Sequence, residues 1–310
     1  MMEREAMRFN RRQVLAAMGA STLVGLPRPS FAAIELTLGD AKITTLSDGN
    51  LVLPMEFLLG NLPAADAAPV LAQYGITGDT VEPPCNLTLL QDGTNTVLFD
   101  AGSGSGFMPT AGKILDALGA IGLGADDITH VLFTHAHPDH LWGVLDDFDD
   151  PVFANASYMI GQAEWDYWTD PATVDSIGAE RASFAVGAAR RLAAIEDQIE
   201  FISGGQEVLP GILAHHTPGH TPGHIAFEVR HGTEAALVVG DAIGNGHLAF
   251  ARPDWASGSD QDAETGIATR LRLLDQLATD QMAMVGFHLP EGGLGRVERD
   301  GDAYRFVTEV

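Results

Sequence analysis

The run THAHPDH, Thr134 to His140, places three histidines and an aspartate in seven residues, directly after the apolar stretch ITHVLF. A buried strand that ends in so many groups costly to bury must deliver them to partners or to a cation. His135 and His137 are two apart, and in an extended segment such side chains point the same way, so both imidazoles reach one metal. Pro138 then forces a turn, after which Asp139 and His140 are placed to address a second metal.

Further ligand types follow downstream. HHTPGHTPGH spans His215 to His224, and its Gly219 and Gly223 allow tight backbone turns. Asp241 ends the apolar run AALVVGD, and His288 ends QMAMVGFH. Nitrogen and carboxylate ligands without thiolate suit two divalent ions, Zn²⁺ first and Mn²⁺ or Fe²⁺ as alternatives. His224 is expected to support the ligands from behind, and His215 and His216 to shape their loop. His130, His231 and His247 read as ordinary surface or strand residues. Asp100, at the end of VLFDAG, is either a turn residue or a carboxylate that orients a histidine.

Around these motifs, strands and helices alternate. AKITTLSDGNLVL predicts a strand, a turn at Asp48-Gly49-Asn50 and a second strand. NLTLLQDGTNTVLFDAG predicts a hairpin around Asp92-Gly93. Helical spacing covers Pro109 to Leu123, Gln162 to Trp168, Ile177 to Ile199, and Thr265 to Ala278 with Leu271, Leu274 and Leu277 inward. The pattern is that of an α/β protein whose site lies along one sheet edge. VLFDAG and VVGDAIG read as related strand-then-aspartate units, one in each half.

Composition narrows the partners. Asp plus Glu outnumber Lys plus Arg by 42 to 17, a formal charge of −25, and such a surface repels nucleic acid. The only cysteine, Cys85, excludes an intramolecular disulfide framework and a Cys-rich zinc site. The first 32 residues carry Arg11-Arg12, an apolar stretch from Val14 to Leu26, and the small-residue site Ser30-Phe31-Ala32. This is the layout of a twin-arginine-type export signal, too short to span a bilayer and leaving no membrane anchor once cleaved. Cleavage after Ala32 removes five arginines and two glutamates and leaves 12 basic against 40 acidic residues, or −28. Residues 33–310 then form a single exported domain, periplasmic or secreted.

The His-x-His-x-Asp-His run, with the downstream His220, Asp241 and His288, resembles the signature of the metallo-β-lactamase superfamily. The resemblance implies a four-layer αβ/βα sandwich. It also implies one metal site of His135, His137 and His220, a second of Asp139, His140 and His288, and Asp241 bridging the two. Within that superfamily, LGDAKITTLSDGNLVLP, THAHPDH, HTPGHTPGH, LVVGDAI and HLPEGGLGRVERDGDAYRF resemble the methyl parathion hydrolase-like exported metallohydrolases, over nearly the whole mature chain. That family implies a homodimeric, dinuclear hydrolase of small uncharged esters, lactones or organophosphate triesters. Ala136 departs from its pattern, where methionine is usual, which leaves pocket identity open.

The expected chemistry is attack of a bridging hydroxide on a carbonyl or phosphoryl centre, with Asp139 as catalytic residue and metal ligand. Carboxylic ester or lactone hydrolysis is favoured, phosphotriester hydrolysis is the alternative, and a non-catalytic periplasmic metal-binding protein is the reading of another class. Trp165, Trp168, Phe107 and Phe184 are the first candidates for an apolar substrate pocket, followed by Phe57, Leu58, Met108, Trp142 and Trp255. Exposed, the same aromatics would instead mark a dimer surface.

Overall fold

A computed structural model describes residues 33–308. The expected export segment, residues 1–32, lies outside them. The strands are β1 (Ile34–Leu38), β2 (Ala41–Asn50), β3 (Leu53–Pro54), β4 (Thr80–Val81), β5 (Pro84–Gln91), β6 (Thr96–Phe99), β7 (His130–Leu132) and β8 (Ser157–Gly161). They continue with β9 (Ile199–Ile202), β10 (Glu207–Leu209), β11 (Ile212–His216), β12 (Ile225–His231), β13 (Glu234–Gly240), β14 (Ala283–Gly286), β15 (Leu294–Asp300) and β16 (Ala303–Val307). One seven-stranded sheet runs β1-β2-β5-β6-β7-β8-β9, and a second runs β10 through β16 in chain order. β3 and β4 form a small ribbon beside them.

The layers follow from the period-two alternation of apolar side chains along strands. In β13, Ala236 and Val238 face the space between the two sheets, while Leu237 and Val239 face away. In β6, Val97 and Phe99 point between the sheets and Leu98 points outward. Strands buried on both faces read as unbroken apolar runs rather than alternating ones, which explains VLF and ALVV. The outer face of the first sheet is covered by helices Ile114–Ala120 and Ala182–Ile195, through Ile114, Leu118, Leu192 and Ile195. The outer face of the second is covered by helix Ala263–Asp280, through Leu273, Leu274 and Leu277. Helix, sheet, sheet, helix is the expected four-layer αβ/βα sandwich.

The two strand-then-aspartate units occupy matching places. β6 and β13 are each the fourth strand of their sheet. Each pairs antiparallel with the strand before it in the sheet and parallel with the strand after it. Asp100 and Asp241 are therefore the first residues past two equivalent strand ends.

Three local expectations are corrected. Asp48-Gly49-Asn50 is not a turn: β2 runs through it with a register shift against β5 between Ser47 and Asn50. The Asp48 carboxylate instead accepts from the backbone N–H groups of Ser103 (2.9 Å), Gly112 (3.1 Å) and Ile114 (2.8 Å). The residue types that favour turns also favour bulges, because both put carboxylates next to free N–H groups. The helix expected over Pro109 to Leu123 is limited to Ile114–Ala120, since the first residues wrap around Asp48. Leu271 is partly exposed and Leu273 takes the inward position, one step along the helical face.

Asp48 ties the β2 bulge to two loops, and its removal strands three backbone donors. Asp48→Ala is expected to lower the urea unfolding free energy by about 3 kcal/mol at unchanged m-value. A loss below about 1 kcal/mol would show that the loops do not depend on it.

Candidate metal centre

The loops that leave the C-terminal ends of β6, β7 and β13 converge between the two sheets. His135, His137, Asp139 and His140 come from the β7 loop, the last two on the single turn Pro138–Leu141. His220 comes from the loop between β11 and β12, Asp241 from the turn Asp241–Ile243 after β13, and His288 from the segment after β14. All seven are buried, with His288 the most exposed at 9%.

Their geometry forms two adjoining groups. His135 Nε2 lies 3.0 Å from His137 Nδ1, and His137 Nδ1 lies 2.8 Å from His220 Nε2. Asp241 Oδ2 closes this group, 3.3 Å from His220 Nε2 and 4.0 Å from His135 Nε2. On the other side, His288 Nε2 lies 3.2 Å from Asp139 Oδ2 and 3.3 Å from Asp241 Oδ2, and His140 Nε2 lies 3.4 Å from Asp241 Oδ1. His135, His137, His220 and Asp241 offer ligand atoms within 4.8 Å of one another, as do His140, Asp241 and His288, so Asp241 belongs to both sides; Asp139 joins the second through His288, in a set that also holds Cys85.

These contacts fit cations better than they fit one another. Three imidazole nitrogens that face each other cannot all be satisfied by the protons they carry. Asp139 Oδ2, His140 Nε2 and Asp241 Oδ1 are buried without any hydrogen-bond partner, and they face a common space. Burial, reinforced by neighbouring imidazoles, holds His135 and His137 well below the usual histidine range, which keeps their nitrogens as free lone pairs. Burial works against charge on Asp241, yet His288, His140 and His220 outweigh it and hold the carboxyl well below its ordinary value. Burial likewise opposes charge on His140, but Asp241, Asp100 and Asp139 raise it to about 10. A buried cluster with this much unbalanced charge is the setting in which metal ligands are found.

The rings are aimed by groups behind them. Asp100 Oδ2 lies 2.8 Å from His140 Nδ1, and the same carboxylate accepts from the Thr134 N–H and hydroxyl. Of the two readings open for Asp100, the structure favours the orienting carboxylate, seated at a left-handed φ of 67°. His288 Nδ1 donates to the Pro84 carbonyl at 2.8 Å, which turns Nε2 inward. His224 Nε2 accepts from the Asp241 N–H at 3.0 Å, so it supports a carboxylate from behind, as expected. His216 contacts the Pro222 carbonyl in the ligand loop, whereas His215 pairs with Glu228 on the sheet.

Glu164 escaped the sequence reading. Its carboxylate is wholly buried and accepts from Ala136 N (2.9 Å), Trp168 Nε1 (2.6 Å), Thr221 Oγ1 (2.7 Å) and Gly223 N (3.0 Å). Ala136 separates His135 from His137, and Thr221 follows His220, so one carboxylate ties together the two loops at the positions beside three of their ligands. Gly223 is required here by close approach: a Cβ would lie 2.1 Å from the Glu164 nitrogen. Gly219 is required by its φ of 124° and by the backbone of Gly266, 2.3 Å from its Cβ position. The only sequence signal for Glu164 was an acid four residues before a tryptophan, the two buried positions of the helix Gln162–Thr169.

A cavity of about 750 Å³ opens over the cluster. Phe107 and Phe184 line it, together with Phe57, Leu58 and Met108. Trp165 and Trp168 do not reach its wall: Trp165 packs on Phe201, and Trp168 is fully buried behind His137, with ring centres 5.5 Å apart. Trp142 lies under Arg191, and Trp255 is likewise absent from the wall. His247, read as an ordinary residue, lines the cavity. Cys85, excluded from a Cys-rich site, sits beside Asp139 and His288, its thiol pushed up to about 12 chiefly by burial.

Solved structures resemble this arrangement as a whole. AidC, a dizinc quorum-quenching lactonase, superimposes with a TM-score of 0.85 at 26% identity, covering 90% of this chain and 98% of its own. The hydrolase AbOPH of the beta lactamase superfamily gives 0.84 at 25% identity, with 91% and 99% covered. A probable metal-dependent hydrolase from Staphylococcus aureus shares the fold, with a TM-score of 0.73 at 22% identity over 89% of this chain and 100% of that one. No curated protein sequence matches. The family model of the metallo-beta-lactamase superfamily matches residues 80–283, about two thirds of the chain, and the chain belongs to that superfamily.

Proposed function

We propose that this protein is a dinuclear metal-dependent hydrolase of a small neutral carboxylic ester or lactone. The observation that carries the reading is the junction of the seven-ligand cluster with the apolar cavity. Of the cluster residues, His137, Asp139, His220, Asp241 and His288 themselves lie on the cavity wall. Resemblance to a dizinc lactonase over nine tenths of the chain supports it.

His135, His137 and His220 would hold one ion, Asp139, His140 and His288 the other, with Asp241 between them. Two divalent ions, most simply Zn²⁺, supply a Lewis acid for the carbonyl oxygen and a water acidic enough to attack at neutral pH. The protein supplies the rest. Phe107, Phe184 and Met108 exclude bulk water from the reacting carbonyl, which strengthens every polar interaction there. Asp139, held as a carboxylate by His140 and His288 against its burial, orients the attacking water and accepts its proton at a carboxylate oxygen. Water adds to the carbonyl carbon, the acyl C–O bond breaks, and the proton passes from Asp139 to the departing oxygen, leaving an alcohol and a carboxylic acid that releases its remaining proton to solvent as the carboxylate. Asp100 and Glu164 act through the ligands as positioning residues.

The acidic chain suits an uncharged substrate better than a polyanion. Export through the arginine pair is part of the same proposal, and Arg11→Lys with Arg12→Lys is expected to leave the precursor in the cytoplasm on cell fractionation.

Two measurements test the enzymatic reading. With the metal-loaded protein, kcat/KM is expected to favour a lactone or aryl ester over an aryl phosphotriester by more than about 100-fold, roughly 2.7 kcal/mol of barrier difference. His135→Ala should abolish the activity. The reverse preference would assign phosphotriester hydrolysis, and metal-independent or absent turnover would leave metal binding alone. Glu164→Gln leaves one acceptor oxygen for four donors. It is expected to cost about 10- to 100-fold in metal affinity, read by chelator competition, and unchanged affinity would refute the clamp.

A further inference from the structure

Beside the ligand cluster, the loop after Asp241 brings two neutral polar side chains, Asn245 and His247, to the cavity wall. Their hydrogen bonding has a common direction. Asn245 Oδ1 accepts from the backbone N–H groups of His247 (3.2 Å) and Ala249 (3.0 Å). Backbone N–H groups can only donate, so the amide orientation is fixed and Nδ2 is left on the far side. His247 Nδ1 accepts from the Leu248 N–H at 2.9 Å. That nitrogen is therefore unprotonated in the neutral ring, and Nε2 carries the hydrogen. Burial alone pushes His247 down to about 4, so the ring is neutral near pH 7.

Both side chains thus spend their acceptor atoms on the protein and retain donors. Among the described residues, neither Asn245 Nδ2 nor His247 Nε2 has a hydrogen-bond partner. Two convergent N–H donors with no protein partner call for an acceptor oxygen on the substrate, and the acidic chain favours an uncharged one. The cationic donor of the wall, Arg181, is already engaged: it donates to the Gly258 carbonyl at 2.6 Å and lies over the Phe57 ring.

We infer that Asn245 and His247 form a donor pair that binds a second carbonyl on the substrate, outside the bond that is hydrolysed. This rests on the proposed ester or lactone hydrolysis. It narrows the substrate to acyl compounds with a neutral carbonyl, such as an amide, a short distance from the scissile group. A site built to satisfy a polar group discriminates strongly against analogues that lack it, since its own donors are then buried unpaired.

The test compares two lactones on the full metal-loaded protein: N-hexanoyl-homoserine lactone, which carries an amide, and γ-decalactone, which does not. Asn245→Asp keeps the oxygen that accepts from His247 and Ala249 but replaces the donor; His247→Phe keeps the ring size but removes the Nε2 hydrogen. The wild-type protein is expected to favour the amide-bearing lactone in kcat/KM. Each variant is expected to lower that preference ratio tenfold or more, mainly through KM. General misfolding would depress both substrates together and leave the ratio in place, so the ratio isolates recognition. A wild-type ratio in both variants, with γ-decalactone still hydrolysed, would overturn the donor pair and leave the hydrolase reading standing. Metal-dependent turnover of an aryl ester but of neither lactone by the wild-type protein would overturn the donor pair alone, and turnover of none of the three would overturn both.

Discussion

Every part of the site depends on keeping five imidazoles and two carboxylates buried, close together and correctly turned. Left to themselves, these groups pay desolvation and repel one another. What holds them is a set of fixed partners on the sides that face away from the cluster. Asp100 takes one nitrogen of His140, the Pro84 carbonyl takes one of His288, and His224 meets the Asp241 N–H. With these outward atoms engaged, His140 and His288 have only their inward nitrogens left, and those converge with Asp241 on the spaces that cations would fill.

The fold makes that convergence inexpensive. The ligands sit at strand ends, where the backbone has already been ordered by the sheets and little further conformational freedom is lost. The two aspartates that follow β6 and β13 show how one structural solution serves two purposes. At the end of β6 the carboxylate turns a histidine; at the end of β13 it lies between both ligand groups. Glu164 does for loops what the sheets do for strands, joining two of them through four hydrogen bonds to one side chain.

The metal cluster was legible in the sequence because ligand types are rare, polar and spaced by backbone periodicity. The seven residues read from HAHPDH, His220, Asp241 and His288 are the ones the fold brings together. The layer order was legible through the resemblance and the apolar runs. Other features were hidden because local chemistry does not distinguish them. Asp48-Gly49-Asn50 has turn composition, yet its carboxylate serves loops some 55 to 66 positions away. Glu164 looks like any helical acid until Ala136 and Gly223 are placed beside it. Trp165 and Trp168 were the obvious aromatics for a pocket, but large apolar rings are as useful in a core. His247 has no periodic or motif signal, and only the cavity gives it meaning.

One side of the cavity wall comes from a part of the chain that supplies no ligand. Leu53, Phe57, Leu58, Tyr74 and Ile76 belong to the segment between β2 and β5, which carries two helices held by the small apolar cluster of Leu59, Ala67, Leu71 and Leu248. No cluster ligand comes from that segment, and its core is separate from those that fasten the sheets. Mutations there can accumulate while the ligand cluster stays intact. Such a division lets the shape of the cavity change through the segment between β2 and β5 while the buried histidines and aspartates keep their places.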